Sequence, residues 1–214
     1  MNKSSIEFSQ LNRLLRNKDR EVLKPTIDLM FKYCSEMMNR KIPEANVQQA
    51  FVLDIVTKIS NITDSILSVG CFEDTAYETL KQAGYNIVGI DPEINFSLHD
   101  YRMKHKSNFD IIFSTSVLEH VKNDEEFIQD ICCLLTKPGV AILTCDFNND
   151  YRLGMPVPNT VIRQYTEYDL RTRLNTVLNR NDCRIIGSQD WSGDRDFLYQ
   201  GHHYSFATFV FERI

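Results

Sequence analysis

The chain has no cysteine pair spaced C-x-x-C, no apolar run near the ~20 residues that cross a bilayer, no basic excess, and no internal repeat or low-complexity tract. Each absence removes a class of protein. The 6 cysteines (Cys34, Cys71, Cys132, Cys133, Cys145 and Cys183) sit mostly in apolar runs. They are expected as small buried hydrophobes in a reducing compartment, not as disulfides or metal ligands. Lys and Arg number 24 against 29 Asp and Glu, a net charge of -5. Duplex nucleic-acid binders draw most of their affinity from phosphate contacts and present a basic surface. A small-molecule substrate is therefore expected, with no nucleic acid and no membrane as partner, and an RNA substrate is disfavoured. Residues 1–10 lack the apolar core of a signal peptide, so the expected location is the cytoplasm. Monomer and homodimer both stay open.

What is present suits one sizeable α/β core. Residues 1–63 read as a helical cap or extension, and 64–214 as the main domain. Leu11, Leu14 and Leu15 have helical spacing, Ile27, Met30, Phe31 and Cys34 repeat it, and a third helix is expected from Asn46 to Ile59. Strands are then expected at Ser65–Val69, Asn86–Ile90, Phe109–Ser114 and Val140–Cys145. Helices at Asp74–Ala83, stopped by Gly84, and Asp124–Leu135 alternate with them. This alternation implies a Rossmann-like, doubly wound sheet, mostly parallel, with helices on both faces. Thr166-Glu167-Tyr168-Asp169 reads as a capping box for a helix to Leu178. Cys183–Ile186 and Phe206–Phe211 read as a closing antiparallel pair, unless Asp190–Tyr199 makes a short helix between them.

The first strand ends at Ser68-Val69-Gly70-Cys71. Gly70 lets a ligand approach the backbone, and Asp91, 21 residues on at the next strand end, is placed to accept hydrogen bonds from ribose hydroxyls. Ser68, Asp91, Ser114 and Asp146 are all expected at the carboxyl edge of the sheet, where such folds bind ligands.

Phe109-Asp110-Ile111-Ile112, then Leu118-Glu119-His120-Val121, then Lys137-Pro138-Gly139-Val140 follow in order. Over residues 64–148 this resembles class I S-adenosylmethionine-dependent methyltransferases, in particular small bacterial enzymes of surface-glycan or secondary-metabolite biosynthesis. Ser68 stands where the family has an acidic residue, and Phe72 and Asp74 replace its later glycines. The resemblance implies S-adenosyl-L-methionine as cofactor. Ser68, Gly70 and Cys71 would face its methionine part and Asp91 its ribose. Pro92, Leu98 and His99 would lie at the adenine, and Ser114, Thr115 and Val117 on the sulfonium side.

Methylation of an alcohol needs alignment and a general base. His120, one helical turn beyond Ser114, and Asp146, after a strand, are the two candidates. Arg163, Tyr165, His202 and His203 are candidates for acceptor binding; the two adjacent histidines should point to opposite faces of a strand. No spacing demands a metal. The expected reaction is O-methylation of a small polar acceptor, a sugar or nucleotide-linked sugar. Two other readings stay open: a non-catalytic binding protein of this fold, and an NAD-dependent oxidoreductase, which would need the glycines that Phe72 and Asp74 replace.

Overall fold

A computed structural model describes residues 10–214; residues 1–9 of the expected helical segment, and most of the stretch read for a signal peptide, lie outside it. The strands are β1 (Asn12–Leu15), β2 (Ile66–Val69), β3 (Ile87–Ile90), β4 (Phe109–Thr115), β5 (Leu135–Phe147), β6 (Cys183–Ile185), β7 (Gln189–Asp190), β8 (Phe197–Tyr199) and β9 (His202–Arg213). The helices are α1 (Asp19–Val22), α2 (Lys24–Arg40), α3 (Pro43–Ile59), α4 (Thr75–Gln82), α5 (Leu98–Lys104), α6 (Asp124–Leu134) and α7 (Asn175–Arg180). Residues 118–120 form a single tight turn, and wider π-type turns over 169–174 lead into α7.

The sheet runs β3-β2-β4-β5-β9-β1-β7, with β6 and β8 also on β9. β3, β2, β4 and β5 are parallel, and β9 enters antiparallel to β5. The chain winds outward from β2 to β3 and then returns to the other side of β2 as β4. The connections therefore diverge between β2 and β4 and leave a crevice above their carboxyl ends.

Alternation along the strands sorts the core into two layers. Ile66, Phe113, Ile142 and Val210 pack under α2 and α3 with Leu53 and Val56. Leu67, Ile112, Leu143 and Phe209 pack on the opposite face with Ile128 and Ile131 of α6 and Leu178 of α7. The doubly wound expectation is met. No helix among the described residues is long and apolar enough to cross a membrane.

Three local expectations are corrected. Residues 12–15 are a strand, not a helix. Leu11 and Leu15 join one core layer and Leu14 the other, which suits a strand, and the same spacing had also matched a helical stripe. Tertiary pairing decided between them: Leu14 and Leu15 pair with Ala207 and Phe206 of β9. Next, the strand expected at Val140–Cys145 starts earlier, at Leu135, and takes in Lys137-Pro138-Gly139. There residues 136–139 bulge opposite Asp110, between the Phe109–Leu135 and Ile111–Val140 pairs. Finally, the closing antiparallel pair forms as expected, β6 against β9, and the alternative of a short helix over Asp190–Tyr199 falls, because that stretch holds the end of β7 and the strand β8. The Thr166–Asp169 capping box forms as expected. The Thr166 N–H and hydroxyl donate to Asp169 Oδ2 (3.0 and 2.8 Å), and the Asp169 N–H donates back to Thr166 Oγ1 (3.2 Å).

Asn12 fastens β1. Its Nδ2 donates to the carbonyls of Ile186 (2.8 Å) and Val210 (3.1 Å), and its Oδ1 accepts from the Val210 N–H (2.7 Å). The residue is 1% exposed, so no water replaces it. Asn12→Ala should lower the unfolding free energy by about 3 kcal/mol, measured by urea denaturation, because it strands buried backbone groups.

Candidate active site

A cavity of about 840 Å³ opens above the crevice between β2 and β4. Its floor comes from three strand ends: Val69 and Gly70, Ile90 and Asp91, and Thr115 and Ser116. Gly70 adopts φ +84°, and a Cβ there would stand 2.3 Å from Val117 Cγ2. Both its conformation and its neighbour therefore require glycine. The N–H groups of Gly70 and Cys71 both donate to the Ile90 carbonyl (2.8 and 3.1 Å). The turn thus offers a ligand close approach, while its donors are already committed.

Asp91 is held from both sides. The N–H of Phe72 donates to Oδ2 (3.3 Å) and that of Glu93 to Oδ1 (2.9 Å). The carboxylate is fixed at the cavity wall, with lone pairs left for hydroxyl donors. Pro92, Leu98, Val117 and Phe127 line an apolar side of the same cavity, and His99 stands at its rim, 3.2 Å from Asp130 through Nδ1.

His120 lines the cavity and is exposed. Its Nδ1 faces the carbonyl oxygen of Thr160, which can only accept, so Nδ1 carries the proton and the neutral ring keeps its lone pair on Nε2. The turn carrying His120 is clamped by the loop after β5, where the Ile162 N–H donates to the Glu119 carbonyl (2.9 Å).

Of the expected cofactor contacts, Gly70, Asp91, Pro92, Leu98, His99, Thr115 and Val117 lie together on this cavity. Ser68, Cys71 and Ser114 do not. Ser68 is fully buried in β2. The Cys71 thiol packs beneath β3, where a Cβ on Gly89 would meet it at 2.8 Å; burial, with Asp91 and Asp74 nearby, pushes it up to about 11. The Ser114 hydroxyl donates to the Val69 carbonyl (3.0 Å) inside the sheet. Ser68 and Ser114 each lie one residue short of a strand's end and point within the sheet, whereas Cys71, in the turn beyond β2, has its thiol packed against Gly89.

Asp146 is also displaced. It is 6% exposed, outside the cavity lining, and beside Glu119, which is 1% exposed. Burial and the Glu119 carboxylate push Asp146 well above the usual carboxylate range. Burial likewise raises Glu119, although Ser116 Oγ donates to its Oε1 (2.6 Å). Two buried carboxyls in contact cannot both ionise, so they share a proton, with Asp146 as the acid. A protonated acid outside the cavity is no base for a ligand inside it.

Arg163 and Tyr165 act as struts. Arg163 pairs with Asp124 (2.9 Å), and the fully buried Tyr165 donates its hydroxyl to the Leu118 carbonyl (3.1 Å) and Asp124 Oδ2 (2.9 Å). Burial favours a neutral Asp124, but hydrogen bonds and charge from Arg173, with Tyr165 and Arg163, hold it below the usual range. His202 and His203 both line a second cavity, at the β5–β9 corner. There the strand has only begun, so alternation does not separate them.

Several lining residues escaped the sequence reading: Lys41, Gln48 and Gln49 at the start of α3, Asp74, Ser116 and Asp130. One signal was available. The apolar stretch Val47–Val56 is interrupted by the half-buried Asp54, which pairs with Lys58, and by Gln48 and Gln49. Both glutamines are buried, with Gln48 Oε1 accepting from Thr144 Oγ1 (2.7 Å) and Gln49 Oε1 from the Thr75 N–H (3.1 Å). Polar residues buried in an apolar helix mark a site more often than a surface.

Comparison with known proteins places these features among relatives. Residues 15–195 match the family described as methyltransferase domain. Two curated relatives are ubiquinone biosynthesis O-methyltransferases. The one from Nitrobacter winogradskyi is 28% identical over 119 residues, covering 46% of this chain and 45% of the relative. The one from Shewanella pealeana is 26% identical over 107 residues, covering 41% and 45%. The match thus spans under half the length of these relatives. Among solved structures, the magnesium protoporphyrin IX methyltransferase of Synechocystis, with bound SAH, has a TM-score of 0.54 at 15% identity, covering 89% of this chain and 100% of that one. The 1,6-didemethyltoxoflavin-N1-methyltransferase of Burkholderia thailandensis has 0.55 at 14%, covering 94% and 91%. At such identities the likeness is one of fold.

The shared proton gives a stability test. Both folded pKa values lie above their unfolded ones, so folding takes up protons, and stability is greatest below the unfolded values of about 4 and falls as pH rises through the folded ones. Melting temperature followed from about pH 5 to about pH 8 should decline. Asp146→Asn, which keeps an N–H donor for Glu119, should decline less over the same window. An equal slope in both proteins would remove the pair as its cause.

Proposed function

The chain belongs to the methyltransferase-domain family, and from that premise we propose that it is an S-adenosylmethionine-dependent methyltransferase acting on a hydroxyl of a small polar acceptor. The observation that carries this reading is the pinned Asp91 carboxylate facing the Gly70 turn across one cavity above the strand crossover. The residues suit the cofactor. An acceptor-only carboxylate at the cavity wall matches two ribose hydroxyls. Leu98, Val117 and Phe127 supply flat apolar walls for a purine, and acidic residues outnumber Lys41 and Lys122 on the lining, a balance that favours a cation such as a sulfonium.

Bound S-adenosylmethionine supplies an electrophilic methyl group, so the protein's work is alignment and proton removal. Asp91 holds the ribose, and Gly70 allows the sulfur-bearing chain to lie against the backbone. Pro92, Leu98 and His99 border the base, and Thr115 and Val117 flank the sulfonium side. His120 is the base: its Nε2 lone pair accepts the proton of the acceptor hydroxyl while Thr160 holds Nδ1–H. Asp146 drops out of that role, for the reasons of burial given above.

A hydroxyl acceptor agrees with the names of the curated relatives, which specify O-methylation. Those names point to quinone chemistry. The second cavity instead is lined by Asn148, Gln164, Arg195, His202 and His203, a polar set that favours a sugar or nucleotide-linked sugar, as in glycan biosynthesis.

Calorimetry with S-adenosylhomocysteine and, separately, NADH tests the cofactor. The first should bind and the second should not; the reverse result would return the oxidoreductase reading. Asp91→Ala should weaken S-adenosylhomocysteine binding about 100-fold through lost charge-assisted hydrogen bonds. His120→Ala should leave that affinity unchanged but lower kcat about 100-fold or more with any acceptor found by homocysteine release. An unchanged kcat would remove His120 as the base.

A further inference from the structure

The second cavity, of about 700 Å³, lies where β5 ends and β9 begins. Its hydrogen-bond pattern has a fixed direction. Asn148 Oδ1 accepts from the Asp150 N–H and from Arg195 NH1, each at 3.1 Å, and neither donor can act as an acceptor. Asn148 must therefore present Nδ2 to Gln164, whose Oε1 accepts at 3.1 Å. That leaves Gln164 Nε2 as a donor without a partner, on a residue only 3% exposed that lines both this cavity and the neighbouring one beside Arg152 and Arg163. A buried unpaired amide donor is uncommon and unfavourable, and an oxygen entering the cavity would satisfy it.

The charges say which oxygen. Arg195 is the cavity's one arginine, and NH2 lies 3.5 Å from the Asp150 carboxylate. Asp194 adds a second acid. Among the described lining residues two acids stand against one arginine, so a phosphate or carboxylate would meet Asp150, Asp194 and an already paired guanidinium. Neutral hydroxyls, which both donate and accept, fit the mixed amide, acid and imidazole lining. Tyr151 and Pro156 offer apolar surface for the C–H face of a ring.

We propose that this cavity holds a neutral, hydroxyl-rich ring, a hexose unit of the methyl acceptor, with a ring or hydroxyl oxygen accepting from Gln164 Nε2. The inference rests on the methyltransferase reading for its role, and it assigns the non-reacting part of the acceptor to Gln164, Asn148 and Arg195. A nucleotide phosphate would have to lie outside this cavity.

Saturation-transfer NMR on the full chain, with glucose, galactose and mannose as neutral probes and inorganic phosphate and catechol as controls, tests it. At least one hexose should bind, and Gln164→Leu should weaken it about tenfold, while calorimetry shows unchanged S-adenosylhomocysteine affinity. Arg195→Met, at the rim, should weaken the same hexose by releasing Asn148. The proposal is overturned if no hexose binds, if hexose binding survives Gln164→Leu, or if phosphate or catechol binds at the expense of hexose. Failure of S-adenosylhomocysteine to bind the unmodified chain would instead sink the methyltransferase reading, and the hexose result would still stand or fall by itself.

Discussion

The reversal of winding at β2 is the constraint from which the rest follows. A parallel sheet wound in one direction covers each strand end with the next connection. Here the chain goes outward to β3 and comes back to the other side of β2 as β4, so two connections leave in opposite directions and the ends of three strands stay uncovered. Gly70, Asp91 and Ser116 are the first residues past those ends, and all three reach the cavity. The pinning of Asp91 by two backbone N–H groups matters because it fixes the carboxylate before any ligand arrives.

Below that floor lies a layer of polar groups that satisfy one another. Ser116 donates to Glu119, its N–H donates to the Thr144 carbonyl (3.1 Å), and Thr144 donates to Gln48. The chain of contacts ties the end of β4 to β5 and, through Thr144, to Gln48 of α3, so the two cavity walls supplied by β4 and α3 are joined beneath the floor. The protonated Asp146 closes its far end. This arrangement gives up a candidate base and gains a rigid support for His120, whose turn follows Ser116 directly.

Much of the fold was legible because its signals were local. β2, α4, β3, β4 and α6 each combine a clear apolar period with a turn or cap residue at the boundary, as with Asp74 accepting from the Tyr77 N–H and Gly84 at φ +84°. The strand β1 was illegible because Leu11, Leu14 and Leu15 satisfy two periods at once, and the choice is made by β9, some 190 residues away. The cavity-lining set was legible where a side chain rises from a turn, as at Asp91, and misplaced where the residue lies one short of a strand's end, as at Ser68 and Ser114. Gln48 and Gln49 were hidden for another reason. They come from a helix distant in sequence, and only packing carries them to the strand ends.

The pairing of β1 with β9 has a consequence for biogenesis. Asn12 bonds to residue 210, and Leu14 and Leu15 pair with residues 207 and 206, so the sheet's outer half joins segments 198 residues apart at Asn12 and Val210. Contacts of such long sequence separation form slowly, since a large loop must close first. Residues 12–15 must stay unpaired with β9 until residues 206–210 have been made. The cavity at the start of β9 is therefore completed later than the cavity above β2, β3 and β4, strands that all precede β9 in the chain.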